Sequence, residues 1–92
     1  MPIVLHSGPY RLFFYASDAR EPAHVHIQRD RVRAKIWLVN LELEWNLGFS
    51  DYEVGRIIRV VRDNLDVLLR RWNEFFTSGR PSDRFRPDYP GN

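Results

Sequence analysis

The 92-residue chain has no cysteine, one lysine, one methionine and three histidines. Without thiols it can form neither a disulfide nor a thiolate metal centre, which makes the cytoplasm the expected location. No apolar run approaches the roughly 18 residues of a membrane span, and the opening Met1-Pro2-Ile3 lacks the basic start of a secretory signal. No membrane role is expected. Neither sign of charge dominates: 14 cations face 12 anions, for a net +2. They are spread evenly enough to exclude a chain-wide nucleic-acid footprint. The one local concentration is Arg29, Arg31, Arg33 and Lys35. Internal repeats and low-complexity blocks are also missing.

What the chain does have is apolar and aromatic residues. It is 43% hydrophobic, with three Trp, four Tyr and six Phe, enough for one core and not two. A single domain over residues 1–76 and a tail over 77–92, rich in proline, glycine and arginine, are therefore expected.

Ile3 to His6 is a short apolar run closed by Ser7-Gly8-Pro9, a turn signal, and Tyr10 to Tyr15 is aromatic. The two read as a hairpin. Leu12 and Phe14 fall on one face of the second strand, and Phe13 and Tyr15 on the other. Ser17 to Pro22 is polar and interrupts the sheet. From His24 the residues alternate, so His24, His26 and Gln28 share one face while Val25 and Ile27 point into a core. Val32 to Val39 alternates as well. An even loop at Asp30-Arg31 pairs His26 with Lys35, His24 with Trp37 and Gln28 with Arg33, and it also sets Ile27 beside Ala34 and Val25 beside Ile36. An odd loop would oppose histidines and aliphatics, so the even loop is expected. Leu41 to Gly48 fits either a strand or a helical turn.

The next element begins at Ser50, an N-cap candidate with Glu53 three residues on, the pattern of a capping box. Val54, Ile57, Ile58, Val61, Leu65, Leu68, Leu69, Trp72, Phe75 and Phe76 then hold one helical face. The fold expected is two-layer α+β. Four antiparallel strands, near 2–7, 10–16, 24–29 and 33–39, are packed by one long helix over 51–76, with a break near Asp63-Asn64 as the alternative. Val25, Ile27, Ala34, Ile36 and Leu38 should face Ile58, Val61, Leu65, Leu68 and Trp72. The spacing of Arg59 with Asp63, and of Asp66 with both Arg62 and Arg70, favours ion pairs along the solvated side.

The chemistry concentrates at Glu21-Pro22-Ala23-His24-Val25-His26-Ile27. Two imidazoles two residues apart on a strand stand roughly 6.6 Å apart along it, close enough to converge on one ion or phosphate. A metal would need a third ligand from His6, Glu21 or an acid elsewhere in the chain. The competing reading is a hydrogen-bonded pair that fixes the Glu21-Pro22 corner. Glu21, His24, His26, Arg33 and Lys35, with Tyr15 beside them, are also the residue types of a metal-independent ribonuclease. There a histidine moves the 2′-hydroxyl proton and cations stabilise charge on phosphorus. These five are the candidate catalytic residues, and neither a metal nor a cofactor is assigned.

Met-Pro-Ile-Val-Leu, the aromatic second strand, E-P-A-H-V-H-I, A-K-I-W-L, G-F-S and R-R-W-N-E-F-F occur in that order. Over residues 2–76 the chain resembles the small bacterial domain-of-unknown-function 4160 family. Members usually carry a second proline where this chain has Ala23. The resemblance implies one half of a two-protein module of toxin–antitoxin type and brings no established catalytic residues. Three readings follow: a toxin-like protein acting on RNA, a non-enzymatic antitoxin-like or regulatory partner, and a small nucleic-acid-binding domain. The partner expected is a cognate small protein from a neighbouring gene or a second copy of the chain, covering a face on which Phe13, Tyr15 and Trp37 would otherwise stand in water.

Overall fold

A computed structural model describes residues 3–78, and most of the expected tail lies outside them. Five strands form one antiparallel sheet in sequence order: β1 (Ile3–Ser7), β2 (Tyr10–Phe13), β3 (His24–Arg29), β4 (Val32–Trp37) and β5 (Leu43–Leu47). A short 3₁₀ turn, Ala16–Arg20, joins β2 to β3. Two helices follow, α1 (Asp51–Asp63) and α2 (Leu65–Asn73), and the chain continues as a π-helical turn over Glu74–Ser78. The fold is α+β, with an open sheet. No helix among the described residues is long and apolar enough to cross a membrane.

The β3–β4 register is the expected one. His24 pairs with Trp37, Val25 with Ile36, His26 with Lys35, Ile27 with Ala34 and Gln28 with Arg33. Arg29 pairs with Val32, so the loop is the two residues Asp30-Arg31. Asp30 takes the left-handed conformation this tight turn needs, at φ 54°, a region that Asp tolerates better than most residues. The even loop puts Val25, Ile27, Ala34 and Ile36 on one face, all fully buried together with Leu12, Phe14 and Leu38. Ile57, Val61 and Leu68 cover them without exposure, and Ile58, Leu65 and Trp72 pack at the margins.

Four expectations need correction. The sheet has five strands, not four, because Leu43–Leu47 resolves as β5 along β4, with a bulge between Lys35 and Ile36. Gly48 lets the chain leave β5 at φ 109°, where an added Cβ would collide with the Val32 side chain. The second strand stops at Phe13 rather than 16, because Tyr15 caps the 3₁₀ turn. The helix takes its alternative form, two helices in place of one. At Asn64 (φ −114°, ψ 18°) the helical path breaks, and the Asn64 side-chain amide donates to the Val60 carbonyl at 2.8 Å. A short polar side chain competing for a helix carbonyl is a familiar cause of such a break. The expected pairs Arg59–Asp63, Arg62–Asp66 and Asp66–Arg70 do not form; among the described residues the ion pairs within the helical segment are Arg62–Asp63 and Arg71–Glu74. Exposed pairs of this kind are worth too little to dictate geometry.

The capping box forms by half. Ser50 Oγ accepts from the Glu53 amide at 3.2 Å, but the Glu53 carboxylate turns instead to the sheet. Arg29 Nε and Nη2 donate to its two oxygens at 2.6 and 2.7 Å, and the Tyr10 hydroxyl donates at 2.9 Å. A bidentate guanidinium–carboxylate pair is stronger than a bond to one backbone amide. Arg29 is thereby removed from the basic cluster expected with Arg31, Arg33 and Lys35 and tied to the helix layer. Its hydrogen bonds hold the Glu53 carboxyl below the ordinary carboxylate value, against a partial desolvation that would raise it. A depressed carboxyl contributes stability above its unfolded pKa of about 4.3, and this is lost as pH falls through the lower folded value. The difference in melting temperature between the native protein and Glu53→Gln should therefore be largest near pH 7 and shrink steadily below pH 4. A difference independent of pH would contradict this role for the pair.

Candidate functional site

The turn between β2 and β3 is built around one side chain. Asp18 is 8% exposed. Its backbone amide donates to the Tyr15 carbonyl at 2.9 Å, and its Oδ2 accepts the Tyr15 amide at 2.8 Å. The Glu21 amide closes the far side on the Asp18 carbonyl at 3.0 Å. This local bonding folds Ala16–Arg20 back over the start of β3 and sets the carboxylate against the two imidazoles.

His26 Nε2 lies 3.1 Å from Asp18 Oδ2 and donates to it. Its ring stacks on Phe13 (5.5 Å between centroids, 15° between planes), meets Tyr15 edge-on at 4.7 Å and approaches Trp45 at 6.0 Å. Burial lowers the His26 pKa, opposed by the nearby Asp18 charge. His24 has no exposed surface. Its Nδ1 bonds the Pro22 carbonyl at 2.9 Å; since a carbonyl only accepts, Nδ1 carries the hydrogen. The corner-fixing bond expected of the pair is therefore present. His24 Nε2 lies 3.1 Å from Asp18 Oδ2, off the line an imidazole N–H would take, and it is buried without a hydrogen bond. Trp37 and Trp72 flank this ring at 5.4 and 5.2 Å.

The expected set divides. Lys35 Nζ bonds Glu21 Oε1 at 2.6 Å and sits 4.7 Å over the Trp37 ring. That bond lowers the Glu21 pKa. Glu21 also stands 3.7 Å from His24 Nδ1. Glu21, His24, His26, Lys35 and Tyr15 are thus neighbours. Arg33 is not among them: it lies one row along the sheet, opposite Gln28 and Leu47, and is exposed. The two histidines are interior groups rather than surface ones. Phe13 is 1% exposed and Tyr15 and Trp37 are half-buried, so these aromatics are largely covered by the imidazoles and by each other. The premise that they all stand in water is corrected, because the 3₁₀ turn and the Trp side chains form a thin second cover over this end of the sheet.

Sequence reasoning did not single out Asp18. It sits in an irregular polar stretch with no periodicity to assign its side chain a direction. The available signal was chemical: two buried imidazoles need partners, and Asp18 is an acid in the connection that leads into them.

Replacing Asp18 with alanine leaves the His26 Nε2–H and the Tyr15 amide without their acceptor. The expected loss is about 1–3 kcal/mol of folding stability, read from urea unfolding at neutral pH. A change under about 0.5 kcal/mol, the size of an ordinary surface substitution, would show that the carboxylate is not a structural partner of these groups.

The family described as a domain of unknown function (DUF4160) matches residues 10–73, from the start of β2 to the end of α2. No curated protein and no solved structure matches the chain.

Proposed function

Since the chain belongs to the DUF4160 family, we propose that it is the toxin-like member of a two-protein module of the cytoplasm and that it engages RNA across the open face of its sheet. The observation that carries the RNA contact is a row of side chains running across the strands, His6, Arg11, Gln28 and Arg33, which are successive cross-strand partners. Among the described residues neither Arg11 nor Arg33 has an ion-pair partner, whereas Arg29 and Lys35 are each held by a carboxylate. Two unneutralised guanidiniums stand two strands apart, about 10 Å, on a face the helices do not cover. Phosphate oxygens are the natural ligands of such groups. Trp45, half-buried, pairs with Lys35 in the next row of the same face.

A second reading, a non-enzymatic antitoxin-like or regulatory partner, draws support from the burial of the histidines. A general acid or base must come within about 3 Å of the proton it moves, and His24 presents no surface to a substrate. RNA binding by the arginine row does not require those histidines to react.

Fluorescence anisotropy with a labelled single-stranded RNA tests the first reading. Binding should weaken with salt. Arg11→Glu with Arg33→Glu should reduce affinity at least tenfold and flatten the salt slope by about 0.7 for each phosphate that is no longer neutralised. Induced expression should arrest growth, with relief by co-expression of the neighbouring gene. Absence of RNA binding together with harmless expression would leave the regulatory-partner reading in its place.

A further inference from the structure

Asp18, His24 and His26 each turn a potential ligand atom toward one point; one such atom from each residue lies within 4.8 Å of those of the other two. All three side chains are buried, and all lie within the first two elements after β2. The hydrogen bonding of this group is incomplete in a specific way. His24 donates Nδ1–H to the Pro22 carbonyl, so in the neutral ring Nε2 holds a lone pair. That lone pair stands 3.1 Å from Asp18 Oδ2, an atom that also offers only lone pairs. Two acceptors at that distance repel unless a cation lies between them. Among the described residues, His24 Nε2 is the one buried side-chain polar atom without a hydrogen-bond partner.

We propose that Asp18 Oδ2, His24 Nε2 and His26 Nε2 bind a divalent transition-metal ion of Zn²⁺ type. Two imidazole nitrogens and one carboxylate oxygen are a donor set suited to such ions. The separations of 3.1 Å from Asp18 Oδ2 to each histidine Nε2 lie close to the roughly 3.0–3.4 Å between ligand atoms held about 2.0–2.1 Å from one ion. The outer contact is also in place, since a metal-bound histidine commonly donates its other ring N–H to a backbone carbonyl, as His24 does to Pro22. On binding, the neutral His26 ring changes tautomer: Nε2 gives up its proton to solvent while Nδ1 takes one up, so the ring stays neutral and the Nε2 lone pair takes the metal. Two charged groups stand close by. The Lys35 ammonium opposes a cation, but it is neutralised by Glu21 at 2.6 Å, and that same carboxylate reaches to 3.7 Å from His24 Nδ1. The bound ion joins the Ala16–Arg20 turn to β3 and removes the repulsion between Asp18 and His24. This inference is independent of the RNA reading, because the arginine row takes no part in it.

The test uses the full chain, stripped with a chelator and dialysed. Zn²⁺ titrated by calorimetry should bind at one equivalent, and Co²⁺ should give visible ligand-field absorption at the same stoichiometry. In long-range ¹H–¹⁵N spectra of the native protein, the Nε2 resonances of His24 and His26 should shift on addition of Zn²⁺ while those of His6 stay in place. Asp18→Asn and His24→Gln should each weaken Zn²⁺ binding at least tenfold, and His6→Ala should leave it unchanged. The proposal is overturned if the native chain takes up no stoichiometric ion, if the shifts fall on His6, or if both variants bind within twofold of the native protein. The spectra are read on the native protein, so the outcome stands even if a variant does not fold.

Discussion

A strand covered on both faces has one register available to it, and β3 is such a strand. Its aliphatic residues face the helices and its imidazoles face Phe13, Tyr15 and the tryptophans. A slip of one residue would push His24 and His26 into the aliphatic layer and bring Val25 and Ile27 out of it, exchanging every buried contact for a wrong one. Each aliphatic side chain so exposed would forfeit about 1.5–3 kcal/mol. The rest of the molecule follows from holding that register: the two-residue turn to β4, the alignment of Lys35 with His26, and the floor on which α1 and α2 pack.

Keeping two imidazoles inside creates a second constraint, because buried polar atoms must find partners. The chain meets it with the segment immediately before β3. Pro22 has no amide to satisfy and offers its carbonyl to His24, while Asp18 closes its own turn and supplies a carboxylate to His26. The 3₁₀ turn is therefore more than a connection between strands. It covers the two imidazoles, and its own conformation and the hydrogen bond to His26 are set by the same carboxylate.

The two faces of the sheet use their charges differently. On the helix side Arg29, Glu53 and Tyr10 form a closed set that pins the start of α1 to β3 and β2. On the other side Glu21 and Lys35 neutralise each other beside the histidines, while Arg11 and Arg33 in the next row have no ion-pair partner among the described residues. The basic cluster of Arg29, Arg31, Arg33 and Lys35 thus divides in three dimensions: Arg29 is tied to the helix layer, Lys35 is paired with Glu21, and Arg33 lines up with Arg11.

Period-two alternation is local, and it determined the strand faces, the pairing of His24 to Gln28 with Trp37 to Arg33, and the composition of the core. Ser50 as a cap and a helical face from Val54 onward were legible for the same reason, since 3.6-residue periodicity needs no knowledge of distant contacts. Leu43–Leu47 was not, because a short alternating run is committed to a strand only by the edge it pairs with. Nor was the fate of Glu53: its local pattern satisfies a capping box, but Arg29, 24 residues away in sequence, offers a stronger charge-assisted partner. The break at Asn64 was legible only as the alternative to one long helix, because the apolar face runs through it without a slip. Asp18 shows the limit most directly. Its neighbours in sequence give its side chain no preferred direction, and only the tertiary fold, which lays the turn over β3, sets its carboxylate against both histidines and makes it the acceptor for His26.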